Sequence, residues 1–335
     1  MREGLSWGLR PTDKLSPMVS IVVPVFNEAD SVGRFVQEID AAIATSWNEQ
    51  ETERPPQFEI VFVDDGSFDG TSDVITELCR TDMRVKLVRL SRNFGKEAAL
   101  CAGLKAAGGD AVVPMDVDLQ DPPSLLRPMI DRWRDGAQVV NAMRVDRSED
   151  TVFKRSSARA FYRMINWLSD EPITPDVGDF RLLDRLAVDA VNQLEEHHRF
   201  NKGLFSWVGF RTEVIEYSRP KRSVGKSKWK LSKLAGLAID GVVSSTTFPL
   251  RIWTAIGAMI ACAAFGYAVF LIISTLVWGV DTPGYASLMV AILFLNGLVL
   301  FTLGLLGEYI GRIAMQVRGR PLYIVAERKG FDRGA

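Results

Sequence analysis

The chain has 335 residues, a formal net charge of -1 and three cysteines. Its length suggests two domains, or one domain with an appended segment. A balanced charge argues against a nucleic-acid-binding protein, since such proteins are usually basic, and we expect no nucleic-acid partner. The cysteines have no metal-type spacing, so the sequence predicts neither a cysteine zinc site nor a disulfide framework.

The first two thirds of the chain have the pattern of a soluble α/β domain. Residues 1–17 are polar and lack a long apolar core, so we expect a flexible arm rather than a signal peptide. Short apolar runs then alternate with amphipathic segments, which predicts a mostly parallel, Rossmann-like sheet with right-handed crossovers. The runs typical of buried strands are residues 19–24, 58–63, 85–90, 111–115 and 137–143.

Polar groups follow four of these runs at the points where the strands would end. The four segments are Pro24–Glu28, Asp64–Ser67, Arg92–Lys96 and Asp116–Gln120. In open α/β sheets, ligands bind beyond the carboxyl ends of the strands. We therefore expect the four segments to form one crevice.

Asp116 and Asp118 lie two residues apart at the end of the fourth predicted strand. On an extended segment that spacing puts both carboxylates on the same side. Together they can bind one divalent cation, Mg²⁺ or Mn²⁺, and leave room for substrate phosphates. Pro122 and Pro123 end the strand, because proline supplies no N–H. A solvated acidic turn is the alternative interpretation of the pair.

Three motifs occur in a fixed order along the chain: PVFNE at 24–28, DDGS at 64–67 and DVDLQDPP at 116–123. In this combination the chain resembles the inverting nucleotide-sugar glycosyltransferases with a GT-A fold. Further blocks at 178–183, 199–210 and 222–229 are similar to those of the polyprenyl-phosphate glycosyltransferases, such as dolichyl-phosphate mannose synthase and the bactoprenol glucosyltransferases.

The resemblance implies a GT-A catalytic domain over residues 18–222 that holds a nucleotide-sugar donor. The residues implied to line the nucleotide are Pro24, Phe26, Glu28, Val63, Asp65 and Val117. Asp65 would accept hydrogen bonds from the base or ribose. Strand-end packing is the alternative role of Pro24 and Val63.

The same resemblance assigns a metal and two catalytic carboxylates to the DVDLQ turn. Asp116, Asp118 and Gln120 would hold Mg²⁺ or Mn²⁺ on the diphosphate. The metal would act as a Lewis acid while the nucleoside diphosphate departs, so Asp116 and Asp118 are predicted to be essential for turnover.

The resemblance also assigns residues to the acceptor side. Asp179 is implied to act near the reacting centre, and Asp176 is the alternative carboxylate. Because a phosphate acceptor is already ionised at pH 7, we expect Asp179 to position the sugar or acceptor rather than to abstract a proton. The other residues implied to bind substrate are Arg144, Arg147, Arg199, Lys202, Arg222, Ser227 and Lys228. Surface ion pairs are the alternative for Arg144 and Arg147.

Two long apolar runs follow the soluble part of the chain. Residues 252–280 and 285–307 contain no Asp, Glu, Lys or Arg, and each exceeds the roughly 20 residues that cross a bilayer. We predict transmembrane helices at 249–281 and 285–310, which together form a hairpin. The basic segment at 223–248 is expected to bind the membrane surface as a loop and an amphipathic helix.

Lysines and arginines precede the hairpin and recur in the tail at 311–335. The positive-inside rule therefore places the catalytic domain and both termini in the cytosol. The sequence predicts a multi-pass protein of the inner or plasma membrane whose partner is the lipid bilayer. It leaves the oligomeric state open, a homo-oligomer included.

The predicted activity is transfer of a hexose, with inversion, to undecaprenyl phosphate or another polyprenyl phosphate. UDP-glucose is the first choice of donor, and GDP-mannose, UDP-N-acetylglucosamine and a modified aminoarabinose donor stay open. Two other functions compete. A processive polysaccharide synthase would carry a Gln-x-x-Arg-Trp block, which this chain lacks. An inactive nucleotide-sugar sensor would not need the full set of carboxylates.

Overall fold

The computed structural model describes residues 17–47, 55–144, 177–194, 204–205, 207–217 and 284–331, with scattered residues between 257 and 277. The chain divides into two compact units. The first consists of Met1–Asn166, Glu171–Lys228 and Pro321–Ala335. The second consists of Trp167–Asp170 and Trp229–Arg320. The chain thus leaves the first unit and returns to it for its last residues.

An eight-stranded sheet forms the centre of the first unit. Its strands are β1 Met18–Val25, β2 Gln57–Asp64, β3 Val85–Leu90, β4 Ala111–Pro114, β5 Val139–Arg144, β6 Val177–Asp184, β7 Thr212–Tyr217 and β8 Val325–Lys329. Their order is β7-β5-β6-β4-β1-β2-β3-β8. Strands β4, β1, β2 and β3 are parallel neighbours, whereas β6 and β8 run antiparallel to every strand they pair with. The predicted α/β fold with a mostly parallel sheet is confirmed.

Five α-helices among the described residues of the first unit connect and cover these strands. They are α1 Ala29–Ser46, α2 Thr71–Thr81, α3 Lys96–Ala106, α4 Leu126–Arg134 and α5 Arg185–Asn192. Two apolar clusters form the core, one on each side of the sheet. The central strands β1, β2 and β4 are buried on both faces, and for that reason they read as continuous apolar runs in the sequence.

Helix α3 approaches the sheet very closely. A Cβ at Gly103 would lie 2.2 Å from Cγ1 of Val22, so only glycine allows this contact. Residues 98–104 of the helix are buried. This packing brings the first residue of α3, Lys96, to the carboxyl ends of the central strands.

The strand β8 is a feature that the sequence analysis did not predict. It pairs antiparallel with β3, and the amide of Ser91 donates to the carbonyl of Ile324 at 2.9 Å. The Nζ of Lys329 lies 3.1 Å from Oγ1 of Thr76. Part of the segment expected to be a cytosolic tail therefore completes one edge of the sheet.

The second unit contains α6, Tyr285–Val317. Within the described residues, the stretch Phe294–Val317 is long and apolar enough to cross a membrane, with a mean hydropathy of 1.5 and none of its most apolar window buried. The predicted span at 285–310 lies inside α6, which continues for seven more residues. Most of the predicted span at 249–281 lies outside the described residues, although those described between 257 and 277 are helical.

Candidate active site

A cavity of about 370 Å³ lies at the carboxyl ends of β1, β2, β3 and β4, where the sequence predicts a crevice. Seven of the residues assigned from the sequence line it: Pro24, Phe26, Glu28, Asp65, Asp116, Val117 and Asp118. Asn93, Gly95 and Lys96 from the turn between β3 and α3 complete one wall. Val63 is not among the described residues of the lining. It is fully buried and belongs to the apolar core below, which favours its packing role.

Lys96 connects two carboxylates that come from different strands. Its Nζ lies 2.6 Å from Oδ1 of Asp116 and 3.1 Å from Oδ2 of Asp179. Burial is the largest influence on the pKa of Lys96 and lowers it, but the two carboxylates outweigh burial and raise this pKa above its ordinary value. The ammonium therefore stays charged at neutral pH and joins the end of β4 to β6.

Asp65 holds the turn that presents Lys96. Its Oδ1 accepts from the amide of Phe94 at 2.7 Å, and its Oδ2 accepts from the amide of Gly95 at 2.8 Å. Burial raises the pKa of Asp65, although these two hydrogen bonds oppose the shift. Gly95 has a φ of 97°, which glycine adopts readily. The carboxylate predicted to face the nucleotide thus also shapes the cavity wall.

The turn after β4 presents Asp118 with a strained backbone. Leu119 has a φ of 55°, which bulky residues rarely adopt. The amide of Gln120 donates to Oδ1 of Asp118 at 3.2 Å, and Nε2 of Gln120 also donates to this carboxylate. The amide nitrogen of Gln120 faces Asp118, so its oxygen would reach a metal only after the side chain rotates.

The turns after β1 and β2 are joined by side-chain hydrogen bonds. Oγ of Ser67 accepts from the amide of Asn27 at 2.9 Å, and Oγ1 of Thr71 accepts from the amide of Glu28 at 2.9 Å. Oδ1 of Asp64 accepts from the amide of Ser67 at 2.8 Å, so Asp64 caps the turn that follows it. The Glu28 side of the cavity is therefore fixed by the neighbouring turn.

Asp179 lies on β6 and contacts the same ammonium of Lys96 as Asp116 does. Two residues along the strand, Arg181 is buried, and its guanidinium carbon lies 4.4 Å from the ring centre of Phe205. Burial lowers the pKa of Arg181 to about 10, although the negative charges of Asp179 and Glu97 oppose this. A second positive charge thus lies close to Asp179.

The edge strand β7 is linked to the same site. Oη of Tyr217, at the end of β7, donates to Oδ1 of Asp121 at 2.7 Å. The Tyr217 ring also packs edge-on against Phe180, with ring centres 6.5 Å apart. The turn that follows Asp118 is thereby tied to both β6 and β7.

The residues at this site fit a divalent cation. The carboxylate of Asp116 already holds one positive charge, the ammonium of Lys96. The described residues include no group of three His, Cys, Asp or Glu side chains that could hold a metal. Two carboxylates, with the remaining positions left to substrate phosphates and water, are the arrangement in which Mg²⁺ is usually bound.

Comparison with known proteins decides the family. The model of glycosyl transferase family 2 matches residues 20–191, and that of the GtrB C-terminal hairpin matches residues 248–313. The chain belongs to glycosyl transferase family 2. The recognition of a nucleotide-sugar glycosyltransferase from its three motifs is therefore confirmed.

Relatives of this family 2 glycosyltransferase match over almost their whole length. A glycosyltransferase of Synechocystis sp. is 43% identical over 94% of this chain and 96% of its own. The SfII prophage-derived bactoprenol glucosyl transferase of Shigella flexneri is 46% identical over 92% of this chain and 97% of its own length. The prophage bactoprenol glucosyl transferase homologue of Escherichia coli K12 is 43% identical over 93% of this chain and 99% of its own length.

Several residues assigned from the sequence to the site of this glycosyltransferase fall outside the described residues. These are Arg147, Arg199, Lys202, Arg222, Ser227 and Lys228, together with the alternative carboxylate Asp176. Arg144 is the last residue of β5, and its backbone alone is described. Their roles stay predictions.

Sequence analysis placed Lys96 in a segment of the crevice without giving it a role, and it missed Tyr217 as part of the site. Lys96 ends a segment that was placed at the crevice, but no single motif marks it. Its contact with Asp179 spans 83 positions along the chain, and the contact of Tyr217 with Asp121 spans 96. The polar end of a predicted strand, followed by Gly-Lys at the start of a helix, is the signal from which a role of Lys96 could have been predicted.

Proposed function

We propose that the chain transfers glucose from UDP-glucose to a polyprenyl phosphate, with inversion at the anomeric carbon, and releases UDP. The observation that carries this proposal is the pair Asp116 and Asp118 on the wall of the strand-end cavity. The cavity volume lies in the usual range of small-molecule sites, about 300–1,000 Å³. Two relatives that match along nearly their whole length bear the name bactoprenol glucosyl transferase or its homologue, which supports glucose and a polyprenyl acceptor.

The donor would lie across the ends of β1, β2 and β4. Pro24, Phe26, Glu28, Asp65 and Val117 are proposed to surround its nucleoside, because all five line the main cavity. Pro24 also lines the small pocket that contains Asp179, whereas the other four do not. Val63 would support this wall from below.

Asp116 and Asp118 are proposed to hold Mg²⁺ or Mn²⁺ against the diphosphate, with Gln120 beside them. When bound there, a divalent cation stabilises negative charge on the departing diphosphate. The two carboxylates orient the leaving group, and the cavity wall excludes part of the surrounding water.

The acceptor side lies towards β6. Asp179 contacts Lys96 and lines a small pocket with Pro24, Phe180 and Asp121. A phosphate acceptor is an anion at pH 7 and needs no strong base. We therefore assign Asp179 a positioning role, and we keep Asp176 as the alternative.

Membrane attachment is proposed through the hairpin at 248–313. The match to the GtrB C-terminal hairpin supports two spans, and the exposed apolar helix α6 supports the second of them. The basic residues on both sides of the hairpin favour a cytosolic position of the catalytic unit and both termini. The basic segment at 223–248 would then lie at the surface where the polyprenyl phosphate is held. Arg144, Arg147, Arg199, Lys202, Arg222, Ser227 and Lys228 are proposed to contact the phosphates.

The test is a donor and acceptor screen with the purified full-length protein in liposomes. UDP-glucose with undecaprenyl phosphate and Mg²⁺ or Mn²⁺ is expected to give the lipid-linked sugar, with an inverted anomeric configuration by NMR. GDP-mannose and UDP-N-acetylglucosamine serve as competing donors, and glucose serves as a soluble acceptor. Faster transfer to glucose than to the lipid phosphate would refute the proposal.

A further inference from the structure

Lys96 contacts both oxygens of a carboxylate that is assigned to the metal. Its Nζ lies 2.6 Å from Oδ1 and 2.9 Å from Oδ2 of Asp116, and 3.1 Å from Oδ2 of Asp179. A divalent cation held by Asp116 would compete with the ammonium for the same carboxylate. The ammonium and the metal therefore cannot both keep close contact with this carboxylate without strong repulsion.

The fold places the positive charge of Lys96 at the N-terminus of a helix, where a positive charge is unfavourable. Lys96 is the first residue of α3, where the helix dipole disfavours a positive charge. The preceding Gly95 has a left-handed φ of 97°, and Asp65 holds its amide. The ion pairs with Asp116 and Asp179 compensate for the unfavourable helix position, so the placement depends on the site.

The acceptor side needs a cation that the cavity can reach, because Arg181 lies close to Asp179 but is buried. Under the proposed function, a lipid phosphate must approach Asp179, and two anions repel each other unless a cation lies between them. Among the described residues that line the main cavity, Lys96 is the one lysine or arginine. It already contacts Asp179 and has nearly half of its side-chain surface exposed to the cavity and solvent.

We propose that Lys96 is an exchangeable countercation. Its ammonium leaves Asp116 when a divalent cation binds there, and it then holds the acceptor phosphate beside Asp179. No bond forms or breaks at Lys96, because the ammonium exchanges one anionic partner for another. The acceptor half of this inference rests on the proposed function, whereas the exchange at Asp116 requires neither sugar nor lipid.

The exchange is tested by titrating the full-length protein in detergent with Mn²⁺ alone and measuring free Mn²⁺ by electron paramagnetic resonance. Lys96→Met removes the charge and is expected to bind Mn²⁺ on the order of tenfold more tightly, the usual effect of removing one neighbouring like charge. Lys105→Met, at an exposed lysine of the same helix, is the matched control and should bind like the wild type. Asp116→Ala should lose the site.

The acceptor role is tested by steady-state transfer from UDP-glucose. Lys96→Met is expected to raise the KM for undecaprenyl phosphate about tenfold, the cost of one lost charged hydrogen bond, while the KM for UDP-glucose stays nearly unchanged. Lys96→Arg keeps the charge and should recover part of the affinity for the lipid phosphate. Thermal unfolding checks the fold, and Lys96→Gln replaces Lys96→Met if the latter does not fold.

The two readouts separate the possible failures. The proposed exchange at Asp116 would be wrong if Lys96→Met bound Mn²⁺ as tightly as the wild type or more weakly, or if no variant bound Mn²⁺. An unchanged KM for the lipid phosphate would overturn the acceptor role. A wild-type protein without any transfer would refute the proposed function and the acceptor half with it, and the Mn²⁺ titration would still decide the exchange.

Discussion

At the scale of single residues, the site is a group of charged side chains that contact one another. Asp116, Lys96 and Asp179 form a row of alternating charges from β4 to β6. Asp118 lies beside the row and is exposed. Each carboxylate can therefore be tested by a change that keeps the volume of the side chain or removes the carboxylate altogether.

Replacing Asp116 or Asp118 by alanine is expected to lower kcat by a factor of roughly 100 to 1,000, the usual cost of removing a principal electrostatic stabiliser. Under the proposed function, the reason is a weaker hold on the divalent cation that would stabilise the departing diphosphate. Transfer from UDP-glucose is measured with excess Mg²⁺ or Mn²⁺, and circular dichroism checks the fold. Asp135→Ala, at an exposed carboxylate after α4, is the control. Full wild-type activity in excess chelator would contradict metal dependence.

Asp179→Asn is expected to lower kcat while the affinity for UDP stays nearly unchanged. The amide keeps the shape of the side chain but weakens its contact with Lys96, so the acceptor is held less well within reacting distance. Single-turnover transfer measures the rate, and calorimetric titration with UDP and metal measures the affinity for UDP. Asp189→Asn, at an exposed residue of α5, is the control. Loss of UDP binding would move Asp179 to the donor side and favour Asp176 at the acceptor.

At the scale of elements, the site is assembled by turns that hold one another. Asp65, at the end of β2, accepts two amides from the turn before α3, and Ser67 accepts the amide of Asn27 from the turn after β1. These bonds fix the ends of three strands relative to each other. The opposite ends of the same strands are fixed by a second polar cluster.

Glu59 is the centre of that second cluster. It is buried on β2, and it is paired with Lys86 and accepts from Ser20 and from the amide of Gly108. Burial is the largest influence on the pKa of Glu59 and raises it, but these partners together lower the pKa below its ordinary value. A lowered pKa stabilises the fold above the pKa of the unfolded state, and this stabilisation is lost as the pH falls through the folded-state pKa.

Glu59→Gln is therefore expected to lower the free energy of unfolding by about 1–3 kcal/mol at pH 7, because a charged hydrogen bond is lost. Below the ordinary pKa of 4.5 the difference from the wild type should shrink. The difference in the free energy of unfolding is measured by thermal unfolding of both proteins between pH 3 and pH 7, at steps of about one pH unit. Glu77→Gln, at an exposed glutamate, should leave the pH profile unchanged. A constant difference across the range would rule out the charge of Glu59 as the cause.

At the scale of the whole molecule, the chain leaves the catalytic unit and returns to it. The last segment, after α6, adds β8 to the edge of the sheet beside β3. The ring of Phe331 packs against this edge, with the ammonium of Lys86 5.1 Å from its centre. The catalytic unit is thus complete only when the C-terminal segment has been made.

A protein that stops at residue 320 is expected to show a lower Tm and stronger aggregation, because β3 becomes an exposed edge strand with unpaired backbone groups. A protein that stops at residue 331 keeps β8 and is the matched control. Thermal unfolding and light scattering in detergent measure both effects. Equal Tm values for the two proteins would show that β8 contributes little to the stability of the sheet.

The sequence by itself determined the fold class and the position of the crevice. Buried parallel strands need apolar residues on both faces, so their runs stand out, and their carboxyl ends follow directly from their order. The DVDLQ turn and the two apolar runs were recognised for a similar reason. Each is a local pattern whose chemistry does not depend on distant residues.

Only the tertiary structure decided which distant residues meet. Lys96 gained its partners because α3 packs against β1 through Gly103, and Asp65 acquired a second role because its carboxylate reaches the turn before α3. Strand β8 is short, and its alternating pattern over residues 325–329 becomes a strand because β3 offers an open edge. Such contacts depend on how elements pack in space, and no spacing along the chain records them.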